Sequence, residues 1–341
     1  MSWHDTGTDD ERVRVRPGKG SRPRTKRRPD YSGAPLGRVV GIDRGRYAVA
    51  LEDTAEPRVL TAVKAREIPK SSVVIGDSVR LTSDLTGRPG SLARIAAVEP
   101  RVNMLRRSLE EAAEGRGEKT IVANADLMVI VVAAADPPPR VGMVDRCLVA
   151  AKEAGVPAVL CITKTDLADP APFLENFVGF DLDTVLTSSV DGVTSGLTQL
   201  RSLVEGRFSV LVGHSGVGKS TLINALVSGA ERAVGEVNAH TGKGRHTSTS
   251  AVALPIEGGG WIVDTPGVRS FGLQHAKQEH ALQAIPEVFE ASELCLPNCS
   301  HASSETDCAL DAWVADDSAP GPAGRIDRVQ RARVLLEAIS S

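Results

Sequence analysis

A short glycine-rich stretch in the second half of the chain has the residue types and spacing of a phosphate-binding loop. It consists of Gly213, His214, Ser215, Gly216, Val217, Gly218, Lys219 and Ser220, followed by Thr221. This is a full match to G-x-x-x-x-G-K-[ST], in which glycines let backbone N–H groups close around phosphate oxygens. Lys219 then carries catalytic positive charge between the β- and γ-phosphates, and Ser220 offers a hydroxyl to Mg²⁺. The stretch predicts a nucleotide site.

Two later segments can complete such a site for hydrolysis. Asp264 ends an apolar run and Gly267 follows it, a pattern that suits indirect Mg²⁺ ligation and sensing of the γ-phosphate. In the polar stretch before them, Thr247 is predicted to give Mg²⁺ a second hydroxyl, with Thr249 as the alternative. The residue after Gly267 is a valine, which cannot orient water. His246 is therefore the candidate for positioning the attacking water, the alternative being a loop residue that contacts RNA.

Two segments that precede the phosphate loop are predicted to recognise the base. The first contains Thr163, Lys164, Thr165 and Asp166. The Asp166 carboxylate can accept both N1–H and N2–H₂ of guanine, which adenine does not offer, and Lys164 would lie along the base plane. The second contains Thr187, Ser188 and Ser189, which can give a backbone N–H to guanine O6. The alternative interpretation of the first segment is a helix cap before Leu167.

A cluster of soft ligands near the C-terminus indicates a metal site. Its members are Cys295, Cys299, His301 and Cys308. Three sulfurs and one imidazole are the closed, four-ligand set of a structural Zn²⁺ site, with no open position for catalysis. The alternative is a set of unrelated buried cysteines and a surface histidine. Cys147 and Cys161 lie on apolar patterns and are predicted to be core residues.

The elements that must hold these groups change character along the chain. Candidate strands between residues 37 and 98 are short and separated by turn residues, which predicts a small β-barrel of the oligonucleotide-binding (OB) type, with an SH3-like barrel as the rival. From residue 103 onward, apolar runs such as Leu127–Ala133, Val156–Thr163, Val185–Ser188 and Phe208–Gly213 alternate with helical patterns. That alternation is typical of a parallel sheet covered on both faces.

Composition separates a basic arm from an acidic body. The 341 residues suggest two or three domains, and the net charge is −3. Nine basic residues and no acidic ones lie between Arg12 and Arg28, so the remainder is strongly acidic. Such arms usually bind nucleic acid, and a solvated disordered tail is the alternative. No apolar run reaches the roughly 18 residues that span a bilayer, and sparse cysteines favour a reducing cytoplasm.

The order of the motifs along the chain is the strongest point of resemblance to a known protein family. Base-recognition residues precede the phosphate loop, the reverse of ordinary GTPases, and the strands can still assemble one site if the domain is circularly permuted. This order, the Pro100–Arg107 stretch, Gly244–Thr247, Asp264–Gly267 and the Cys/His cluster together resemble the circularly permuted RsgA (YjeQ) ribosome small-subunit-dependent GTPases. The resemblance covers residues 35–320.

The resemblance implies a multi-domain chain and a function. The expected parts are a disordered basic arm over 1–34, an OB-fold barrel over 35–102, a circularly permuted α/β P-loop GTPase over 103–276 and a small α-helical zinc-binding domain over 277–341. The family implies a ribosome-stimulated GTP phosphohydrolase that binds the 30S subunit and its rRNA and acts as a switch in late subunit maturation. Structural Zn²⁺, Mg²⁺ with GTP, a cytoplasmic location and a monomer are expected. The alternatives are a nucleotide-regulated RNA-binding protein without significant catalysis and a P-loop ATPase or kinase.

Three features depart from the family pattern. Thr163 stands where the base-recognition motif Asn-Lys-x-Asp has asparagine, and its shorter hydroxyl can make only part of the hydrogen bonding of that amide. We therefore expect weaker nucleotide binding with unchanged guanine preference. His214 stands where the family commonly has glutamine, and the basic arm is additional to the family core.

Overall fold

The structure is a computed structural model. It describes residues 30–52, 58–69, 73–88, 90–108, 118–190, 193–227, 251–265, 271, 273–316 and 324–340. The predicted basic arm lies outside the described residues apart from its last few. Among the helices described, none is both long and apolar enough to cross a membrane.

Five strands near the N-terminus close into a barrel. They are β1 (Leu36–Asp43), β2 (Arg46–Leu51), β3 (Val59–Lys64), β4 (Ser78–Ser83) and β5 (Ala93–Val98). Strand β1 pairs with both β2 and β4, and β3 runs parallel to β5, which gives the order β1-β2-β3-β5-β4-β1. This closure is the OB-type barrel and not the SH3-like rival. The inward side chains are aliphatic, as in Val39, Leu60, Leu81 and Ile95.

A mixed sheet that is mainly parallel follows the barrel. After the hairpin of β6 (Met104–Ser108) and β7 (Glu118–Ala123), the remaining strands are β8 (Leu127–Ala133), β9 (Ala158–Thr163), β10 (Asp183–Leu186), the short pair β11 (Ser189–Val190) and β12 (Val193–Thr194), β13 (Phe208–Val212), β14 (Val252–Pro255) and β15 (Trp261–Asp264). Its strands run β10-β9-β8-β13-β15-β14, and among these six only β14 is antiparallel to its neighbour. Strand β14 also pairs with β1, at Val252 and Gly41, so the sheet continues into the barrel.

Burial along β8 shows why this sheet is covered on both faces. Every residue of β8 is buried, and alternate residues enter different hydrophobic clusters: Ile130 joins one and Val129 the other. A strand exposed on one face would alternate apolar with polar residues, whereas β8 reads LMVIVVA. The continuous apolar runs in the sequence therefore predicted the sheet correctly.

Within the described residues, two of the α-helices are long and the others have at most eight residues. They are α1 (Val141–Ala154), α2 (Ala171–Leu174), α3 (Leu197–Val204), α4 (Lys219–Leu226), α5 (Gln278–Gln283), α6 (Pro286–Ser292), α7 (Ala309–Ala315) and α8 (Arg325–Ser340). Helices α5 to α8 form the C-terminal region that carries the Cys/His cluster, and α8 packs against α1.

The boundaries differ from the sequence prediction in a few places. The strand predicted over Val185–Ser188 ends at Leu186, so that Thr187 and Ser188 lie in the loop after it. The helix after the phosphate loop, for which the sequence predicts Thr221–Leu226, begins two residues earlier at Lys219. The hairpin of β6 and β7 was not predicted, because its two strands are only partly apolar and residues 109–117 between them include four charged residues and two glycines.

Candidate functional site

The predicted nucleotide-binding segments converge at one edge of the parallel sheet. The phosphate loop follows β13, the first base-recognition segment follows β9, and Asp264 is the last residue of β15. Carboxyl ends of parallel strands meet at the same edge, which is where ligands bind in open α/β sheets. Strand β13 pairs with both β8 and β15, so the phosphate loop is central in the sheet. The permuted order of the chain therefore still places these segments together.

The phosphate loop has the backbone that its glycines require. Gly216 and Gly218 have φ values of 82° and 94°, in the left-handed region that favours glycine. A Cβ atom on Gly213 would lie 2.3 Å from the carbonyl oxygen of Val131, so β8 approaches the loop too closely for any side chain. The ammonium of Lys219 lies 2.7 Å from the carbonyl oxygen of Gly213 and 2.8 Å from that of His214. The lysine is thus held inside the loop.

Lys219 and Asp264 shift each other's protonation equilibrium. Burial lowers the pKa of the Lys219 ammonium, and the charge of Asp264 opposes that shift. Burial also raises the pKa of the Asp264 carboxyl, opposed by Lys219. This partly desolvated pair is suited to a phosphate bound with Mg²⁺. The Lys219 ammonium is complementary to the phosphate, and the Asp264 carboxylate is complementary to Mg²⁺.

The hydroxyl-bearing residues of the loop face solvent. Ser215, Ser220 and Thr221 are exposed, and His214 is half-buried. Val217 is buried and packs into the core. An exposed Ser220 at the first turn of α4 is compatible with its predicted role toward Mg²⁺. Thr247, His246 and Gly267 lie outside the described residues, so their roles remain predictions.

Thr163 connects the base-recognition segment to the phosphate loop. Its buried hydroxyl donates to the carbonyl oxygen of Val217 at 2.6 Å, with the carbonyl oxygen of Val132 farther away at 3.3 Å. A hydroxyl has a single proton to donate. Because the shorter contact uses that proton, the side chain braces the phosphate loop.

The rest of the base-recognition segment is held by backbone and side-chain bonds. Lys164 has a φ of 56°, and its ammonium donates to the carbonyl oxygen of Asp136. The amide of Thr165 donates to the carbonyl oxygen of Thr187 at 3.3 Å, and its hydroxyl lies 3.2 Å from the same oxygen. Asp166 is exposed. The structure therefore brings the two predicted base-recognition segments side by side.

The second base-recognition segment is also ordered by hydrogen bonds. Thr187 is buried, and its amide donates to the carbonyl oxygen of Ile162 at 2.8 Å. The hydroxyls of Ser188 and Ser195 lie 2.8 Å apart, and Ser189 begins β11. Asp136, which contacts Lys164, was missed by the sequence analysis. Its position three residues after the end of β8 was the available signal.

We expect Thr163→Val to loosen the phosphate loop. Valine has nearly the shape and the strand preference of threonine. It lacks the hydroxyl with which Thr163 donates to the carbonyl oxygen of Val217 at 2.6 Å. Loss of one buried hydrogen bond costs about 1–3 kcal/mol of unfolding free energy. The free energy of unfolding, measured with denaturant, and the affinity for GDP should both fall. Thr184→Val on the edge strand β10 is the matched control, since its hydroxyl makes only a 3.4 Å contact; equal effects of both variants would contradict the bracing role.

The Cys/His cluster is assembled in the geometry of a metal centre. The ligand atoms of Cys295, Cys299, His301 and Cys308 all lie within 4.8 Å of one another. The Cys295 sulfur is 3.4 Å from Nδ1 of His301 and 3.9 Å from the Cys308 sulfur. Tetrahedral Zn²⁺, with bonds of about 2.3 Å to sulfur and 2.0–2.1 Å to nitrogen, separates its ligands by about 3.5–3.8 Å. The residues therefore fit zinc.

Backbone groups support these ligands from outside. The amide of Ala309 donates to the Cys295 sulfur at 3.2 Å, and the amide of His301 lies 3.4 Å from the Cys299 sulfur. Amides aimed at sulfur stabilise thiolate, which is the form that binds metal. His301 itself has a φ of 53°, so the loop is folded tightly around the four ligands.

Comparison with known proteins gives concordant matches. The sequence model of the RsgA GTPase family matches residues 98–274. The chain is 33% identical over 313 residues to the small ribosomal subunit biogenesis GTPase RsgA of Chlorobaculum parvum, which covers 89% of this chain and 97% of the relative. A relative of the same name from Chlorobaculum tepidum is 36% identical over 252 residues, covering 72% of this chain and 80% of its own.

Solved structures match over nearly the whole chain. YjeQ from Thermotoga maritima aligns with a TM-score of 0.64 and 25% identity, covering 90% of this chain and 99% of its own. YloQ, described as a circularly permuted GTPase, aligns with a TM-score of 0.63 and 23% identity, covering 90% and 95%. The latter match bears on the fold alone, which is that of a permuted GTPase sheet with a barrel before it.

Proposed function

The chain belongs to the RsgA GTPase family, and we propose that it binds the 30S ribosomal subunit and hydrolyses GTP as a switch in late maturation of that subunit. GTP hydrolysis is the activity of the family. The observation that carries the assignment to this chain is the bond from Thr163 to Val217. It joins a base-recognition segment to a phosphate loop that comes later in the chain, so that both belong to one nucleotide site.

The geometry of the described part of the site supports the residue roles that we propose. Lys219 supplies positive charge to the phosphates, Asp166 reads the guanine edge, and Ser220 is the Mg²⁺ ligand on α4. Thr247 is proposed as the second Mg²⁺ ligand, and Asp264 as an indirect one. Mg²⁺ supplies charge compensation when bound with GTP. Phosphoryl transfer needs mainly positioning and charge, and these residues provide both.

The partner assignment draws on the relatives and on the barrel. The curated relatives are named for small ribosomal subunit biogenesis. An OB barrel is a common nucleic-acid-binding module. Tyr47 is the one aromatic residue between positions 35 and 102, and it is buried. We therefore propose that the barrel reads the rRNA backbone and its shape, not stacked bases. A cytoplasmic monomer with a three-domain body and a basic arm completes the proposal.

The decisive measurement is GTP turnover with and without purified 30S subunits. We expect slow intrinsic turnover, stimulated by about 100-fold or more, a factor typical of one added catalytic group. Large subunits serve as the control. Turnover that 30S leaves unchanged would favour the nonenzymatic RNA-binding alternative, and equal use of ATP would favour the ATPase alternative.

His246→Ala tests the proposed water-positioning residue in the same assay. Turnover in the presence of 30S subunits should drop by about 100-fold, because water is no longer oriented toward the γ-phosphate. His275→Ala, an exposed histidine outside the site, is the matched control and should turn over GTP like the wild type. Unchanged stimulated turnover in His246→Ala would show that the histidine has no catalytic role.

A further inference from the structure

Helix α8 forms hydrogen bonds with a segment that lies, in the sequence, between the two base-recognition segments. This aromatic segment, residues 171–180, begins five residues after Asp166 and ends before β10, which leads to Thr187. It contains three phenylalanines, of which Phe173 and Phe177 are buried. Neighbouring rings meet edge to face, with centroids 5.3 Å and 5.4 Å apart. The segment is therefore held together by its own aromatic side chains.

Arg331 of α8 connects the aromatic segment to helix α1. Its guanidinium binds the buried carboxylate of Asp145 through two bonds of 2.9 Å and 2.6 Å. A third nitrogen donates to the carbonyl oxygen of Asn176 at 3.1 Å. The guanidinium also lies 5.4 Å from the centroid of the Phe177 ring. A planar five-donor group is the side chain that can make all these contacts together, which an ammonium cannot.

Arg328, one turn earlier on α8, fixes the segment at a second point. It is buried, donates to the carbonyl oxygen of Val178 at 2.8 Å and lies 2.5 Å from a carboxylate oxygen of Glu287. Glu287 reaches the segment directly: a Cβ atom on Gly179 would lie 2.1 Å from its other oxygen, and the φ of Gly179 is 85°. The positive φ favours glycine there, and any side chain at this position would have to displace the Glu287 carboxylate.

These contacts are specific in a way that an apolar interface is not. Each buried charge lies against an opposite charge, and removing either partner would leave the other uncompensated. Two backbone carbonyls of the aromatic segment, at Asn176 and Val178, accept from arginines more than 140 residues away in the sequence. The segment in turn starts a few residues after Asp166, whose turn is closed by the bond from the Leu167 amide to the Lys164 carbonyl at 3.0 Å.

We propose that Arg331 and Arg328 are positioning residues for guanine recognition, acting through the aromatic segment on Asp166 and Thr187. The inference rests on the proposed guanine site. Its consequence follows from the reciprocity of coupled sites: if α8 orders the guanine end, bound guanine must order α8 by the same factor. GDP and GTP carry the same base. The C-terminal region is thus coupled to nucleotide occupancy through this route, independently of the γ-phosphate.

Arg331→Lys tests the proposal in the full-length chain. Lysine keeps the positive charge but lacks the paired N–H donors with which the guanidinium binds the carboxylate. We expect the Kd for GDP and for a non-hydrolysable GTP analogue to rise by the same factor, about tenfold, a usual size for coupled sites. The Kd for pyrophosphate, which contacts only the phosphate loop, should not change. A variant that merely damaged the fold would weaken pyrophosphate binding as well.

Arg333→Lys is the matched control. Arg333 is on the same helix and also binds a carboxylate with its fork, but its partners are Asp311 and the carbonyl oxygen of His301 in the zinc-bearing region. GDP affinity should be unchanged. Equal weakening by both variants, weakening of the GTP analogue alone, or no effect of Arg331→Lys would each overturn the inference while leaving GDP binding by the wild type intact.

Hydrogen exchange in the wild type keeps the proposal falsifiable if the variants fold poorly. Saturating GDP and the GTP analogue should slow amide exchange in α8 and in the aromatic segment to the same extent. Exchange in α8 that responds to neither nucleotide, or to the GTP analogue alone, would overturn the inference. A wild-type chain that binds no GDP would overturn the proposed function as well, so the two failures are distinguishable.

Discussion

Replacing Asp166 with asparagine is expected to shift the nucleotide preference of the chain from guanine to xanthine. The carboxylate accepts two hydrogen bonds, from N1–H and N2–H₂ of guanine, and an amide has one acceptor and one donor. Xanthine carries a carbonyl oxygen where guanine has the amino group, which matches the donor of the new amide. A charge-assisted hydrogen bond contributes about 1.5–3 kcal/mol. We expect the Kd for GDP to rise by about 100-fold and that for XDP to fall.

The site is built so that this effect should be local. Asp166 is exposed, and the turn that presents it is fixed by the backbone of Lys164 and by the Thr165–Thr187 contact, so the amide replaces the carboxylate without burying a new group. Asp169→Asn is the matched control. Asp169 is also exposed and accepts from the Ala171 amide at 3.0 Å, at the start of the aromatic segment. Titrations with GDP and XDP decide the matter: a guanine preference that survives in Asp166→Asn would remove Asp166 from the base site.

The nucleotide site could be predicted closely because its chemistry depends on local sequence. Glycine spacing fixes the backbone of the phosphate loop, and an all-apolar β8 fixes a doubly covered sheet. Thr163 shows where this reasoning stops. Its replacement of asparagine is visible in the sequence, but the use of its hydroxyl on Val217 depends on a packing distance between two strands.

The contacts of α8 could not be predicted for a related reason. Arg331 and Asp145 are 186 residues apart and lie on two different helices, α8 and α1. An arginine in a helical pattern normally faces solvent, and only the tertiary arrangement shows that this one is paired, with a side chain only 10% exposed. The aromatic segment has an asparagine and a glutamate among its phenylalanines, and this mixed pattern does not predict its contacts with α8.

Removing zinc is expected to unfold the loop between α6 and α7 and to destabilise the C-terminal region. The buried Cys308 precedes α7 and contributes one of four ligands, and binding free energy of structural Zn²⁺ is folding free energy, about 10–16 kcal/mol in small zinc modules. Cys308→Ser should therefore lose the single zinc and lower the melting temperature of the chain. Metal content per chain and thermal unfolding, with and without a chelator, measure both.

Cys147→Ala is the matched control for this loss. Cys147 is buried in α1, and burial raises the pKa of its thiol to about 12, so it is a core side chain and not a thiolate ligand. It should keep one zinc per chain. A Cys308→Ser protein that retains zinc with wild-type affinity would show that the four residues do not form the site.

Loss of zinc should weaken some contacts of α8 more than others. Arg333 donates to the Asp311 carboxylate and to the carbonyl oxygen of the ligand His301, so the metal directly orders one of its two partners. The contacts of Arg331 are to α1 and to the aromatic segment, and neither contains a zinc ligand. Chelation should therefore release the zinc-side contacts of α8 first while GDP binding persists. Parallel loss of zinc and of GDP binding would mean that the metal, and not Arg331, holds the helix against the guanine end.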